Sequence, residues 1–182
     1  RYAFKGGDAF ASLFYDEDLG KYVATVKSQY SNHLARRTLI LSESADFINW
    51  SKPRLIMNGN ATIDPDIDYY QTAMTKWEGA SDAYVMSTYH RTGDYLESNL
   101  VLTRDLYTFT LFDINNPVIS QYDCRAKENY MSPGCIAENG KYIHFFTPFA
   151  AGHNEGGWES VHPDGLKMAG TNRAIFREDG YT

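Results

Sequence analysis

The sequence contains no apolar run close to the roughly 18 residues that a membrane-crossing helix requires, so membrane insertion by a helix is not expected. No stretch of about a dozen residues places apolar side chains at helical spacing between capping residues, which excludes a helical core. Basic residues are neither in excess nor clustered. The formal net charge is −6, and without a Lys/Arg patch neither nucleic acid nor an anionic lipid surface is an expected partner. Cysteine is scarce, limited to Cys124 and Cys135. As a disulfide they would pin the start of a strand; as thiols they would be small core residues, and the spacing leaves both readings open. His144, His153 and His162 lack the spacing of a zinc site, so no metal and no other cofactor is expected.

What is abundant is aromatic surface. Tyr (14) and Phe (10) within a chain that is 43% apolar suit pleated sheets that bury one face or both. These residues fall into a unit written three times. Asp8, Asp68 and Glu128 are spaced 60 residues apart, and each precedes a strand-like run: Ala9 to Tyr15, Tyr69 to Lys76 and Asn129 to Ala137. Second strands are predicted at Lys21 to Val26, Ala83 to Thr88 and Lys141 to Phe146, and third strands at Arg37 to Leu41, Asn99 to Thr103 and Asn172 to Phe176. Each third strand runs into a turn containing Asp46, Asp105 or Asp179, followed by an aromatic that re-enters the core. Fourth strands are expected at Arg54 to Met57 and Pro117 to Ser120, while the third unit stops before its own.

A period of this size with four strands per unit is the signature of an all-β fold, a β-propeller built from four-stranded antiparallel blades. The blades are expected at 8–65, 66–125 and 126–182, forming one partial propeller domain. Three blades do not close a propeller, which typically needs 4 to 8 or so. Three of five blades are therefore expected here, the others supplied by the rest of a longer chain or by a partner. The start at Arg1 without Met and the stop within the third unit lead to the same expectation.

Innermost strands of a propeller begin at one central cavity, so Asp8, Asp68 and Glu128 are expected to face one another across its mouth. The same face collects the loops at Ser28 to Arg36, Asn58 to Asp68, His90 to Ser98, Gln121 to Glu128 and Pro148 to Gly170. The last of these is long and carries His153, Trp158 and His162, which suits a lid or a substrate wall. Asp66 shares a loop with Asp68 and rivals it. Tyr70 and Tyr130, at matching places in innermost strands, could stack on a sugar ring or simply pack the core. His90, at the opening of its loop, could bond sugar hydroxyls or serve as a structural residue.

The stretch Ser42 to Pro53, then Asp64-Pro65-Asp66 with Tyr70, Trp77-Glu78-Gly79, and Phe176 to Tyr181 resemble the glycosidase-like five-bladed propellers related to invertases, levansucrases and arabinanases. The resemblance spans Asp8 to Tyr181. Around the acids this chain has Gly7-Asp8-Ala9, Ile67-Asp68-Tyr69 and Lys127-Glu128-Asn129, where invertase-type relatives carry Asn-Asp-Pro, Arg-Asp-Pro and Glu-Cys. The resemblance implies a carbohydrate-active hydrolase whose three acids are a nucleophile or base (Asp8), a transition-state-supporting aspartate (Asp68) and a glutamic acid proton donor (Glu128). Asp66, Tyr70, His90 and Tyr130 are the accompanying substrate-binding candidates. The chemistry has a basis in the reaction: glycoside cleavage needs one carboxylate to attack or to activate water and one carboxylic acid to protonate the leaving oxygen. Clustered acids raise at least one pKa among themselves, keeping a proton available. The alternative is a non-catalytic extracellular propeller that binds glycan or protein through the same face. A six-bladed sialidase-like reading is weaker, because no arginine cluster for a carboxylated sugar stands out in the sequence. The sequons Asn49-Trp50-Ser51 and Asn60-Ala61-Thr62 lead to the expectation of a secreted glycoprotein.

Overall fold

The computed structural model describes residues 7–28, 37–58, 66–73, 83–124, 126–154 and 170–177. Strands β1 (Gly7–Asp16), β2 (Lys21–Ser28), β3 (Thr38–Ser44) and β4 (Arg54–Asn58) form one antiparallel sheet in chain order. A second sheet repeats the arrangement with β5 (Ile67–Ala73), β6 (Ala83–His90), β7 (Tyr95–Leu102) and β8 (Thr110–Phe112). After the single helical turn α1 (Gln121–Cys124), β9 (Glu128–Met131) and β10 (Ile136–Glu138) both pair with β11 (Lys141–Phe149), which pairs in turn with β12 (Asn172–Arg177). These are three consecutive propeller blades. Strand β5 packs against both β1 and β9, so the inner strands lie side by side around one axis.

The cores lie between blades rather than within them. Even-numbered residues of β6 point one way, where Tyr84 joins Val23, Leu41 and Leu106, and Met86 joins Leu39, Met57 and Val101. The odd-numbered Val85 points the other way, into Ile119, Met131 and Phe146 of the third blade's side. This follows from the period-2 alternation of strand side chains. With a blade on each face, β6 is buried at every position from Tyr84 to His90, its polar Ser87, Thr88 and His90 included. By contrast, β11 is buried only at alternate positions.

Two strand assignments need correction. The fourth strand of the second blade is β8, at Thr110–Phe112, and not Pro117 to Ser120. The latter touches the sheet through one bridge, Ser98 to Ile119, because Asp113 first turns the chain aside and Pro117 has no N–H to give to a ladder. The single inner strand expected from Asn129 to Ala137 is instead two pieces, β9 and β10. Pro133 and Gly134, the latter at φ +80°, break the ladder, while Ser132 N–H still bonds Phe145 O at 2.9 Å and keeps both pieces in line. The third blade's turn at Asp179 lies outside the described residues.

The two Asp turns that are described share one pattern. Asp46 accepts from Ile48 N at 2.9 Å and Asn49 N at 2.7 Å, and Asp105 accepts from Tyr107 N and Thr108 N, both at 2.7 Å. Neither carboxylate takes part in the mouth of the propeller. Each closes a turn whose next residue, Phe47 (φ 64°) or Leu106 (φ 57°), adopts the left-handed conformation.

Candidate functional site

Inner strands reach the mouth with bulges. In β1 the pairing skips from Gly7–Ser28 to Ala9–Lys27, leaving Asp8 as an extra residue, and in β5 it skips from Tyr69–Thr88 to Gln71–Ser87, leaving Tyr70 as one. An extra residue re-aims the side chains of a strand locally, a device common beside binding sites. The side chain of Asp8 lies outside the described residues. Inner strand β9 is held by Ser87, whose hydroxyl donates to Asn129 O at 3.3 Å and accepts from Met131 N at 3.3 Å. That bridge sets the height of Glu128 and Tyr130 relative to the second blade.

Asp68 and Glu128 are both buried where inner strands β5 and β9 begin, at 1% and 4% exposure. Their surroundings differ. Asp68 faces guanidinium groups: Arg37 Nη1 lies 3.4 Å from Oδ2, and the half-exposed Arg91 Nη1 lies 3.8 Å from Oδ1. Glu128 meets a phenol and an imidazole: Tyr130 donates to Oε2 at 2.8 Å, and His153 Nδ1 lies 3.3 Å from Oε1. Shared neighbours link the two carboxyl groups. Arg37 lies over the rings of Tyr70 (5.3 Å) and Tyr89 (4.7 Å), Lys27 Nζ sits 3.9 Å above the Tyr70 ring, and the Tyr70 hydroxyl is 3.3 Å from His153 Nε2. Tyr70 and Tyr130 meet edge to face at 5.7 Å.

A latch fixes His153. Asn154 donates its backbone N–H to Asp94 Oδ2 at 3.0 Å and its amide to Asp94 Oδ1 and to the Tyr89 hydroxyl, both at 2.7 Å. Gly152 lets this segment approach: a Cβ there would stand 2.5 Å from the Asp94 carbonyl oxygen. Burial, then the hydrogen bond to Asp94, pushes the Tyr89 phenol up to about 12, so it stays a donor. Burial alone would raise the Asp94 carboxyl, but the bonds from Tyr89 and Asn154 hold it below its ordinary value.

The expected set therefore divides. Asp68, Tyr70, Glu128 and Tyr130 share one cluster. Asp66 and His90 form a neighbouring one: His90 ends β6 rather than opening a loop, stacks on Tyr95 at 4.2 Å, and turns its nitrogens towards Asp66 Oδ2 (3.8 Å) and Glu97 Oε2 (3.6 Å). Asp66 in turn accepts from Thr92 N at 2.6 Å, which shapes the turn between β6 and β7. Lys27, Arg37, Tyr89, Arg91, Asp94 and Asn154 were not singled out by sequence reasoning, although Lys27 and Arg37 flank the loop assigned to this face. His153 was visible within the long loop, but only the ring of partners around it shows its place. Among the described residues no group of three or more His, Cys, Asp or Glu side chains converges as a metal site.

No protein-family profile and no curated protein matches this chain. Solved structures do. A fructofuranosidase from Schwanniomyces occidentalis, complexed with fructose, superposes with TM-score 0.62 at 9% identity over 80% of this chain and 31% of its own. An N-acetylgalactosamine deacetylase from F. plautii, in complex with blood group B trisaccharide, gives 0.56 at 10% identity over 90% and 47%. A glycoside hydrolase gives 0.56 at 14% identity over 90% and 44%. The chain thus spans between about a third and a half of the length of these proteins. Its fold is that of the β-propeller glycoside hydrolases, at sequence identities that carry the fold alone.

Proposed function

We propose that this chain forms part of a carbohydrate-active hydrolase that cleaves a glycosidic bond at the mouth of the propeller. The observation that carries the reading is the contrast between two buried carboxyl groups within one linked cluster: Asp68 against guanidinium groups, Glu128 against hydroxyl and imidazole. Two carboxyls in unlike surroundings are what acid and carboxylate roles require. Glu128 is the general acid, giving its proton to the leaving oxygen as the C–O bond breaks. Asp68 remains the carboxylate that supports the positive charge developing on the sugar ring. Asp8 is the nucleophile or the base that activates water, and Tyr70 and Tyr130 provide edges and faces for a sugar ring.

Further blades, supplied by the rest of a longer chain or by a partner, would complete the cavity. The exposure of Phe47 (50%), Ile48 (81%) and Leu55 (50%) on the first blade supports this. A secretory route agrees with the two sequons, of which Asn49 stands on an exposed turn. Cys135 packs near Leu100 and Tyr142, and the side chain of Cys124 lies outside the described residues.

The test is Glu128→Gln in the full-length protein, assayed on a panel of glycosides. Turnover on glycosides with ordinary leaving groups should fall by about 100-fold or more, while dinitrophenyl glycosides, whose leaving group needs no proton, should be largely spared. Equal loss on both would give Glu128 another role. Glycan binding without turnover by the unsubstituted protein would replace the enzyme with a binding module.

A further inference from the structure

Resting on that reading of Glu128, the side chains behind it carry a second argument, which comes from counting protons. Tyr130 has one hydroxyl proton, and its close partners are Glu128 Oε2 at 2.8 Å and His153 Nδ1 at 2.9 Å, with the Tyr70 hydroxyl beside them. Once Glu128 has given up its proton it is an ionised carboxylate, which can only accept, so in that state the Tyr130 proton points to Glu128. The Tyr130 oxygen must then accept from His153, which puts the imidazole proton on Nδ1. A neutral imidazole has one N–H, so Nε2 is left as an acceptor, and the Tyr70 hydroxyl donates to it at 3.3 Å. With Glu128 ionised and the imidazole neutral, the direction that gives every group a partner is Tyr70 to His153 to Tyr130 to Glu128.

The surroundings maintain that state. Burial, and after it the charges of Arg37 and Lys27, push the His153 imidazole below its ordinary value against the pull of Asp94, so it is neutral near pH 7. Burial and the adjoining Glu128 push the Tyr130 phenol far above its ordinary range, so it keeps its proton. The groups facing His153 are Lys27, Arg37, Tyr70, Tyr89, Asp94, Glu128 and Tyr130, and the latch through Gly152 and Asn154 holds the ring among them.

We infer that Tyr70, His153 and Tyr130 are positioning residues for Glu128, a directed hydrogen-bond chain that steadies its carboxylate form and so sets the pH at which Glu128 gives up its proton. A donor to a carboxylate favours the charged form, so removing it makes the proton harder to lose. The chain therefore tunes the acid rather than merely packing beside it.

The experiment has two readouts on the full-length protein. Long-range nitrogen–proton NMR of the His153 ring should show the Nδ1–H tautomer at a pH above the alkaline limb, where Glu128 is ionised, and Tyr130→Phe, which removes the acceptor, should shift its Nδ1 resonance. In the pH profile of kcat/KM, Tyr130→Phe should move the alkaline limb upward by about one pH unit or less, and His153→Phe should move it in the same direction by a smaller amount. An Nε2–H tautomer or a charged imidazole at that pH overturns the inference. So does an alkaline limb that stays in place in Tyr130→Phe while kcat drops, since that is the mark of packing alone. If the unsubstituted protein turns over no glycoside, the hydrolase reading fails by itself, and the tautomer still decides whether the chain exists.

Discussion

The turns after β3 and β7 are built from the same local chemistry and meet opposite fates. In each, a Ser or Thr begins the turn, an Asp two residues later collects backbone N–H groups, and the residue after that Asp adopts a positive φ. Yet Leu106 is 2% exposed and Phe47 is 50% exposed. Leu106 enters the core formed with Val23, Leu41 and Tyr84 because the first blade lies on that side of the second. Phe47 stands at the equivalent place on the first blade, where its described aromatic contacts are Tyr22 and Trp50 of its own sheet. Hydrogen bonds within six or seven residues shape the turn, and the neighbouring blade decides what its apolar residue is worth.

The sharpest way to break this comparison is truncation. Leu106→Ala should destabilise the protein by about 2–5 kcal/mol, the range for a buried leucine that leaves a cavity. Phe47→Ala should cost about 1 kcal/mol, the scale of exposed aromatic pairs. Urea unfolding of both variants measures the gap. In a protein carrying a further blade against Phe47, that gap should close, and equal losses in the chain described here would show that burial is not what separates the two turns.

The comparison extends to pH, where a long-range effect and a local one act in different windows. Burial holds the His144 imidazole at about 4, against about 6.5 in an unfolded chain. The unfolded state takes up the proton first, so this part of the stability is complete above about pH 6.5 and is lost as the pH falls towards 4. Asp46 and Asp105 are held below the ordinary aspartate value, chiefly by the backbone bonds from Asn49 and Thr108. Their contribution is complete above about pH 4 and is lost only below that. Thermal melts across pH should therefore show two limbs. His144→Phe should flatten the upper one, and Asp46→Asn should flatten the lower one more than Asp105→Asn does. A single limb unaffected by any of them would remove the distinction between local and long-range groups.

Much of the blade architecture was legible because a strand announces itself within a few residues. Tyr84 to Thr88 reads as a strand from its aromatic and β-branched residues after a turn signal, and Asp105 reads as a turn former from its neighbours. The errors lie where local signals compete. Pro117-Val118-Ile119 has strand composition, but the chain has already turned aside at Asp113, so the ladder runs at Thr110–Phe112 instead. Pro133-Gly134 was read through as strand, although Pro cannot donate and Gly134 takes a positive φ. Of the clustered side chains, Asp68, Glu128, Tyr70 and Tyr130 stand at repeated positions in the sequence, while the side chain of Asp8 lies outside the described residues. His90 and Asp66 stand beside that cluster: His90, at the end of β6, turns to Glu97, Tyr95 and Asp66.

What the sequence by itself determined was everything governed by contacts a few residues apart: the three units, most of their strands, the Asp turns, and the acids at the head of each inner strand. The tertiary structure alone decided which side chains share the mouth. Arg37 reaches Asp68 from 31 residues away, the Tyr70 hydroxyl reaches His153 from 83, and Asn154 reaches Tyr89 from 65. No local period records such pairs. They exist because packing blade against blade buries polar ends that must then find partners across the interface, and a group's partner there is set by the register of two sheets rather than by its neighbours in the chain.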